Sequence, residues 1–77
     1  MQLDTFIEKF SAQFEEIEVD NINKDVNFKL LDTWDSLTSM SIMVMIEDEY
    51  NVKLTAQEIK SPNSVEELFK LVKSKLP

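Results

Sequence analysis

The chain contains no histidine, no cysteine and no glycine, and these gaps narrow its chemistry. Without histidine, a serine nucleophile has no usual general base, so a self-contained Ser-His centre is impossible. Without cysteine, neither a disulfide nor a thiolate-bound metal can supplement the core of so short a chain. The same absence is silent about compartment. Without glycine, helix ends must be finished by other residues, and Asn51 is the tolerable substitute after Tyr50. Long apolar runs are missing too: Ile42-Met43-Val44-Met45-Ile46 is the longest, far short of a membrane span. The opening MQLDTFIEKF has an early Asp4 and no basic flank, so it does not read as a signal peptide. A cytoplasmic location is the expectation.

What is present suits one small globular domain over residues 1–77. Hydrophobic residues make up 43% of the chain, near the globular norm. Eight lysines and no arginine face fifteen acids, for a net charge of −7. That balance repels nucleic-acid phosphates and anionic membranes and favours partners with basic surfaces. Between Asp35 and Tyr50 there are four acids and no lysine, whereas the last nine residues carry Lys70, Lys73 and Lys75 and no acid. Acids and asparagines between residues 20 and 31 invite a calcium-loop reading. Counted from Asp20, however, the glycine position is Asp25 and the last ligand position is Leu31. No metal site is expected.

The periodicity is helical throughout. Leu3, Phe6, Ile7, Phe10, Phe14 and Ile17 form one stripe of an amphipathic helix over 3–17, with Asp4 or Thr5 available near its start. Residues 18–35 are a long polar connection whose scattered Val19, Ile22, Val26, Phe28, Leu30 and Leu31 suggest that it folds back over the helices. A second long helix spans 36–50. Thr55 and Glu58 fit a capping box for a short turn that Ser61-Pro62 stops. Ser64 and Glu67 fit another, opening a last helix with Val65, Leu68, Phe69, Val72 and Leu76 inward. The expected fold class is all-α: three main helices plus one short helix, joined by a long first loop.

The second helix has two apolar sides. Ser39, Ile42, Met43, Ile46 and Tyr50 share one, while Leu37, Met40 and Val44 share the other, with Ser41 and Asp48 beside them and Glu47 at the edge. One buried stripe suffices for a helix in a small bundle. The second is either covered by the loop at 18–31 or is a partner surface, apolar in the middle and negative at its rim. Trp34 carries the same choice between packing on the loop and contacting a partner.

Ser36, in Trp34-Asp35-Ser36-Leu37, has three readings. Asp35 or Ser36 can cap the helix, which needs no function. As a nucleophile Ser36 has no histidine for a base; a Ser-Lys pair stays open although no lysine lies between Lys29 and Lys53, and 77 residues leave little room for a substrate cleft. As an attachment point it would hold a phosphodiester at a helix N-terminus, where amides and the helix dipole favour an anion.

Asp35-Ser36-Leu37, opening a helix that ends Ile46-Glu47-Asp48-Glu49-Tyr50, resembles the acyl carrier protein family. The aromatic-striped first helix, Phe28 before the motif and the short third helix agree, and the resemblance covers essentially the whole chain. It implies a small four-helix bundle that is a carrier and not an enzyme. Its motif serine, Ser36, would take covalent 4′-phosphopantetheine from coenzyme A through a magnesium-dependent phosphopantetheinyl transferase. The arm would hold acyl or related carboxylic cargo as thioesters. Asp35 and Leu37 belong to the recognition motif. Leu37, Met40, Val44, Glu47 and Asp48, with Trp34, would face acyl-loading and acyl-processing enzymes. Ile42, Ile46, Tyr50, Leu54, Ile59, Leu68 and Phe69 would face the core or acyl pocket, with Met43 and Met45 as adaptable filling. The protein is expected to be a monomer serving fatty-acid or specialised lipid, polyketide or surface-polymer synthesis. Thr33 stands where many fatty-acid carriers have glycine, and Ser41 where an acid is frequent, which points toward an accessory pathway. An aminoacyl or peptidyl carrier, and a helical adaptor without the arm, are the alternatives.

Overall fold

The computed structural model describes residues 2–14 and 22–77. Among these there are four α-helices and no strand: α1 (Leu3–Ser11), α2 (Ser36–Tyr50), α3 (Ala56–Lys60) and α4 (Val65–Ser74). A 3-10 turn, Phe28–Leu30, interrupts the long first connection. The all-helical expectation, three longer helices and one short, is met. Among the described residues no helix is long and apolar enough to cross a membrane.

α1 forms because its stripe is apolar and aromatic. Phe6 and Phe10 are fully buried, and each such ring contributes about 1.5–3 kcal/mol by leaving water. Phe6 meets Phe69 of α4 edge-on at 5.6 Å and Tyr50 of α2 at 5.8 Å. Phe10 meets Phe28 edge-on at 5.6 Å, so one aromatic column ties α1 to three other parts of the chain. The regular helix is shorter than the periodicity predicts. It closes at Ser11, and i→i+3 bonds from Gln13 to Phe10 (3.2 Å) and Phe14 to Ser11 (3.0 Å) tighten the chain beyond it. Neither Asp4 nor Thr5 is the cap. Gln2 holds that position without a side-chain bond, and Asp4 lies in the first turn, where its charge suits the dipole. Ile17 and Val19 lie outside the described residues.

The connection folds back as its apolar residues suggest, with one exception. Ile22 and Phe28 are buried and Val26 and Leu31 pack against the core, but Leu30 is 79% exposed. The loop also completes α4. The Val65 and Glu66 amides donate to the carbonyls of Val26 (3.0 Å) and Lys24 (2.9 Å), and the Glu67 amide donates to Ser64 Oγ (3.1 Å). Three otherwise orphaned first-turn donors are thereby satisfied. The reciprocal half of the box expected at Ser64 is not formed, because the Glu67 carboxylate accepts from the Ser64 hydroxyl at 3.5 Å instead. At α3 both halves form between Thr55 and Glu58. Leu76 is not an inward position: α4 ends at Ser74, and Leu76 is 37% exposed.

α2 runs over the expected residues. Asn51 ends it in the left-handed conformation (φ 56°, ψ 37°), its amide donating to the Glu47 carbonyl at 2.9 Å. Ile42, Met45 and Ile46 are its buried residues, and Val52, Leu54, Ile59, Val65, Leu68, Phe69 and Val72 complete the core behind them.

Candidate functional site

The site is the start of α2 and the side of that helix turned away from the core. Asp35 is the N-cap: its carboxylate accepts from the Thr38 amide at 2.8 Å, and its carbonyl accepts from the Ser39 amide at 2.9 Å. The Thr38 hydroxyl reaches back to the Thr33 carbonyl at 3.0 Å, stitching the approaching chain to the first turn. The Thr38 amide holds the exposed Asp35 carboxyl below its ordinary value, with the Thr38 hydroxyl and the Leu37 amide acting in the same direction. Capping is thus the work of Asp35, and Ser36 is released from it. Ser36 is the first helical residue, exposed, and its hydroxyl has no hydrogen-bond partner among the described residues.

The outer face of α2 is open to solvent. Leu37, Met40 and Val44 are 76%, 60% and 55% exposed, so the described part of the first connection, residues 22–35, leaves them open. Leu37, Met40, Ser41, Val44 and Asp48, with Gln13 and Glu49 at the edge and Met45 at the floor, line a shallow depression of about 500 Å³. Glu47 belongs to a smaller one of about 150 Å³, with Met40, Met43, Val44, Lys53 and Leu54. The wheel separates core from outer face correctly.

Trp34 resolves toward packing without leaving the site. Its ring meets Phe28 edge-on at 4.9 Å and stacks on Phe14 at 6.4 Å, joining the aromatic column. It also forms one wall of a third depression, of about 440 Å³, between the start of α2 and α3. Asp35, Ser36, Ser39, Met40 and Met43 line it from α2, and Ala56 and Lys60 from α3. Trp34, Asp35, Ser36 and Met40 are therefore brought together. Leu37, Val44, Glu47 and Asp48 lie further along the helix, and Met40 lines all three depressions.

Lys60 and Ala56 escaped the sequence reading. Helical periodicity orders residues around one axis and does not say which neighbouring helix closes a groove. The available signal was a lysine in the last turn of a short helix, two residues before Pro62. Lys60 shares the depression with Ser36, and no hydrogen bond joins the two among the described residues. No cluster of carboxylates able to hold a metal ion occurs among the described residues.

The family model described as "Phosphopantetheine attachment site" matches residues 5–72. Comparison with curated proteins and with solved structures finds no match. The residues present fit the group that the family carries. A phosphodiester link needs an accessible hydroxyl with space around it, and the first turn of α2 supplies one beside a partly apolar depression with one cation. With nearly its whole length matched, the chain belongs to the acyl carrier protein family, a carrier domain that is the attachment site for covalent 4′-phosphopantetheine and not itself a catalyst.

Proposed function

We propose that residues 1–77 act as a single carrier domain whose Ser36 bears the arm. The arm holds acyl or related carboxylic intermediates for fatty-acid or specialised lipid, polyketide or surface-polymer synthesis. The observation that carries this reading is the exposed Ser36 hydroxyl, unpaired among the described residues, at the first position of α2 within the matched family region. In loading, Ser36 Oγ forms the new phosphodiester bond as the nucleotide leaves coenzyme A. Its proton passes to a base supplied by a magnesium-dependent phosphopantetheinyl transferase. The bound arm supplies a thiol, the chemistry that a cysteine-free chain lacks.

The rest of the site serves recognition. Asp35 fixes the first turn and so presents Ser36. Leu37, Met40 and Val44 offer desolvatable apolar contacts, while Glu47 and Asp48 steer partners with basic surfaces, including the acyl-loading and acyl-processing enzymes. Trp34 contributes from the wall of the α2–α3 depression. The protein works in the cytoplasm as a monomer, meeting its enzymes in turn.

The test is direct. Purified protein is incubated with coenzyme A, magnesium and a broad-specificity transferase, and its intact mass is taken. Addition of one phosphopantetheine, lost in Ser36→Ala, is the expected result. An unmodified protein, or an adduct that survives Ser36→Ala, would overturn the assignment.

A further inference from the structure

We propose that Thr38 is a positioning residue for attachment at Ser36, acting by tying the first turn of α2 to the chain that enters it. This rests on the attachment of the arm to Ser36. The first turn of a helix frays readily, since its leading amides have no partner within the helix. Ser36 stands at the head of that turn, exposed, with no hydrogen bond from its hydroxyl among the described residues. Its place must therefore be fixed through its neighbours. Thr38 does so with two groups: its amide donates to the Asp35 carboxylate at 2.8 Å, and its hydroxyl to the Thr33 carbonyl at 3.0 Å. The two bonds bracket residues 33–38, with Ser36 inside. The amide bond is exposed and the hydroxyl bond part-buried, so the hydroxyl bond is the better shielded of the two.

The bracket is anchored in the core. The Thr33 carbonyl and the Trp34 amide belong to one planar peptide unit. Thr38 holds that plane by its oxygen, and the Leu31 carbonyl holds it by the Trp34 N–H at 3.0 Å. Leu31 packs on the core, and the Trp34 ring lies against Phe28 and Phe14. Glycine at position 33 would leave the plane freer to turn; Thr33 and the Thr38 hydroxyl restrain it. Gln13, Phe14, Thr33, Asp35 and Thr38 line a depression of about 330 Å³ beside the bond. Water entering there can replace the Thr38 hydroxyl at the Thr33 carbonyl, so removing the hydroxyl loosens the turn without unfolding the helix. In loading, the Ser36 Oγ–phosphorus bond forms as the nucleotide leaves and the hydroxyl proton passes to the transferase's base. Small displacements of an attacking atom are costly in such a step.

Modification kinetics with coenzyme A, magnesium and a broad-specificity transferase test this on three variants, with unfolding in denaturant measured beside them. Thr38→Val keeps the shape and helix propensity of threonine, whereas Thr38→Ala raises the propensity; both lose the hydroxyl. In both, kcat should fall by about tenfold with KM little changed, because Leu37, Met40 and Val44 on the outer face are untouched. Thr38→Ser keeps the hydroxyl and should keep kcat near that of the unaltered chain. Unchanged kcat in Thr38→Val and Thr38→Ala would overturn the positioning role and leave Ser36 as the attachment residue. So would rates that follow stability across the variants, Thr38→Ser as slow as Thr38→Ala, or a change in KM alone. Failure of the unaltered chain to be modified would overturn the attachment and the positioning role together.

Discussion

Two residues at the ends of α2 show how a single side chain can serve fold or function. Asp35 takes the capping duty, leaving the neighbouring hydroxyl of Ser36 for other chemistry. Tyr50, at the far end, is a residue whose packing leaves a polar atom stranded. Its ring lies against Phe6 and under the Lys9 ammonium, 5.2 Å from the centroid, and its buried hydroxyl has no partner among the described residues. Burial pushes the phenol up; Lys9, itself paired with Glu49 at 3.1 Å, opposes this, and Glu49 reinforces it. A group whose folded value is raised stabilises fully below its unfolded value and loses that contribution as pH rises through the folded one. Tyr50→Phe should therefore flatten the loss of stability above pH 10.0, the phenol's ordinary value. At neutral pH the same change should stabilise by roughly 1 kcal/mol, because it removes an unsatisfied buried hydroxyl. Chemical denaturation at neutral and alkaline pH checks both. A variant less stable at neutral pH would mean that the hydroxyl has a partner.

Among the elements, α2 is where the sequence was most informative and where its limits are clearest. Its length, its Asn51 terminator and the division into two apolar sides were legible, because each depends on spacing along one axis. Whether the outer side was covered was not legible, since that depends on where the first connection runs. The structure leaves Leu37, Met40 and Val44 open. The groove against α3 was hidden for the same reason: Lys60 reaches Ser36's neighbourhood through tertiary packing, not through any repeat. The early end of α1 and the half-formed box at Ser64 are local competitions, settled by i→i+3 bonds and by loop carbonyls that propensity does not foresee. The two sides of α2 should separate by mutation. Met40→Ala with Val44→Ala should change unfolding stability by no more than about 0.5 kcal/mol. Ile42→Ala on the buried side should cost about 2–5 kcal/mol. The outer pair should nonetheless slow modification by the transferase. Equal rates for the outer pair and the unaltered chain would remove that face from recognition.

Over the whole molecule, a net charge of −7 is unevenly spread, with Glu47 and Asp48 beside the open apolar face and Lys70, Lys73 and Lys75 on α4 and just past it. Such a field raises encounter rates with basic partners and fades as salt shortens its range to about 8 Å at physiological ionic strength. Glu47→Lys with Asp48→Lys should slow modification at low salt, and the deficit should shrink as salt is added. Rates that match the unaltered chain across the salt series would contradict the steering account. The arrangement as a whole, a rigid aromatic core behind α2 and an open face in front, suits a carrier that must be held by different enzymes without changing its own fold. Its central claim concerns one oxygen atom. The most direct measurement is to digest the modified protein and locate the phosphopantetheine by fragment mass within residues 34–41, which contain Ser36, Thr38, Ser39 and Ser41. The account predicts the adduct on Ser36 alone; an adduct on Ser39 or Ser41, or none in this segment, would contradict it.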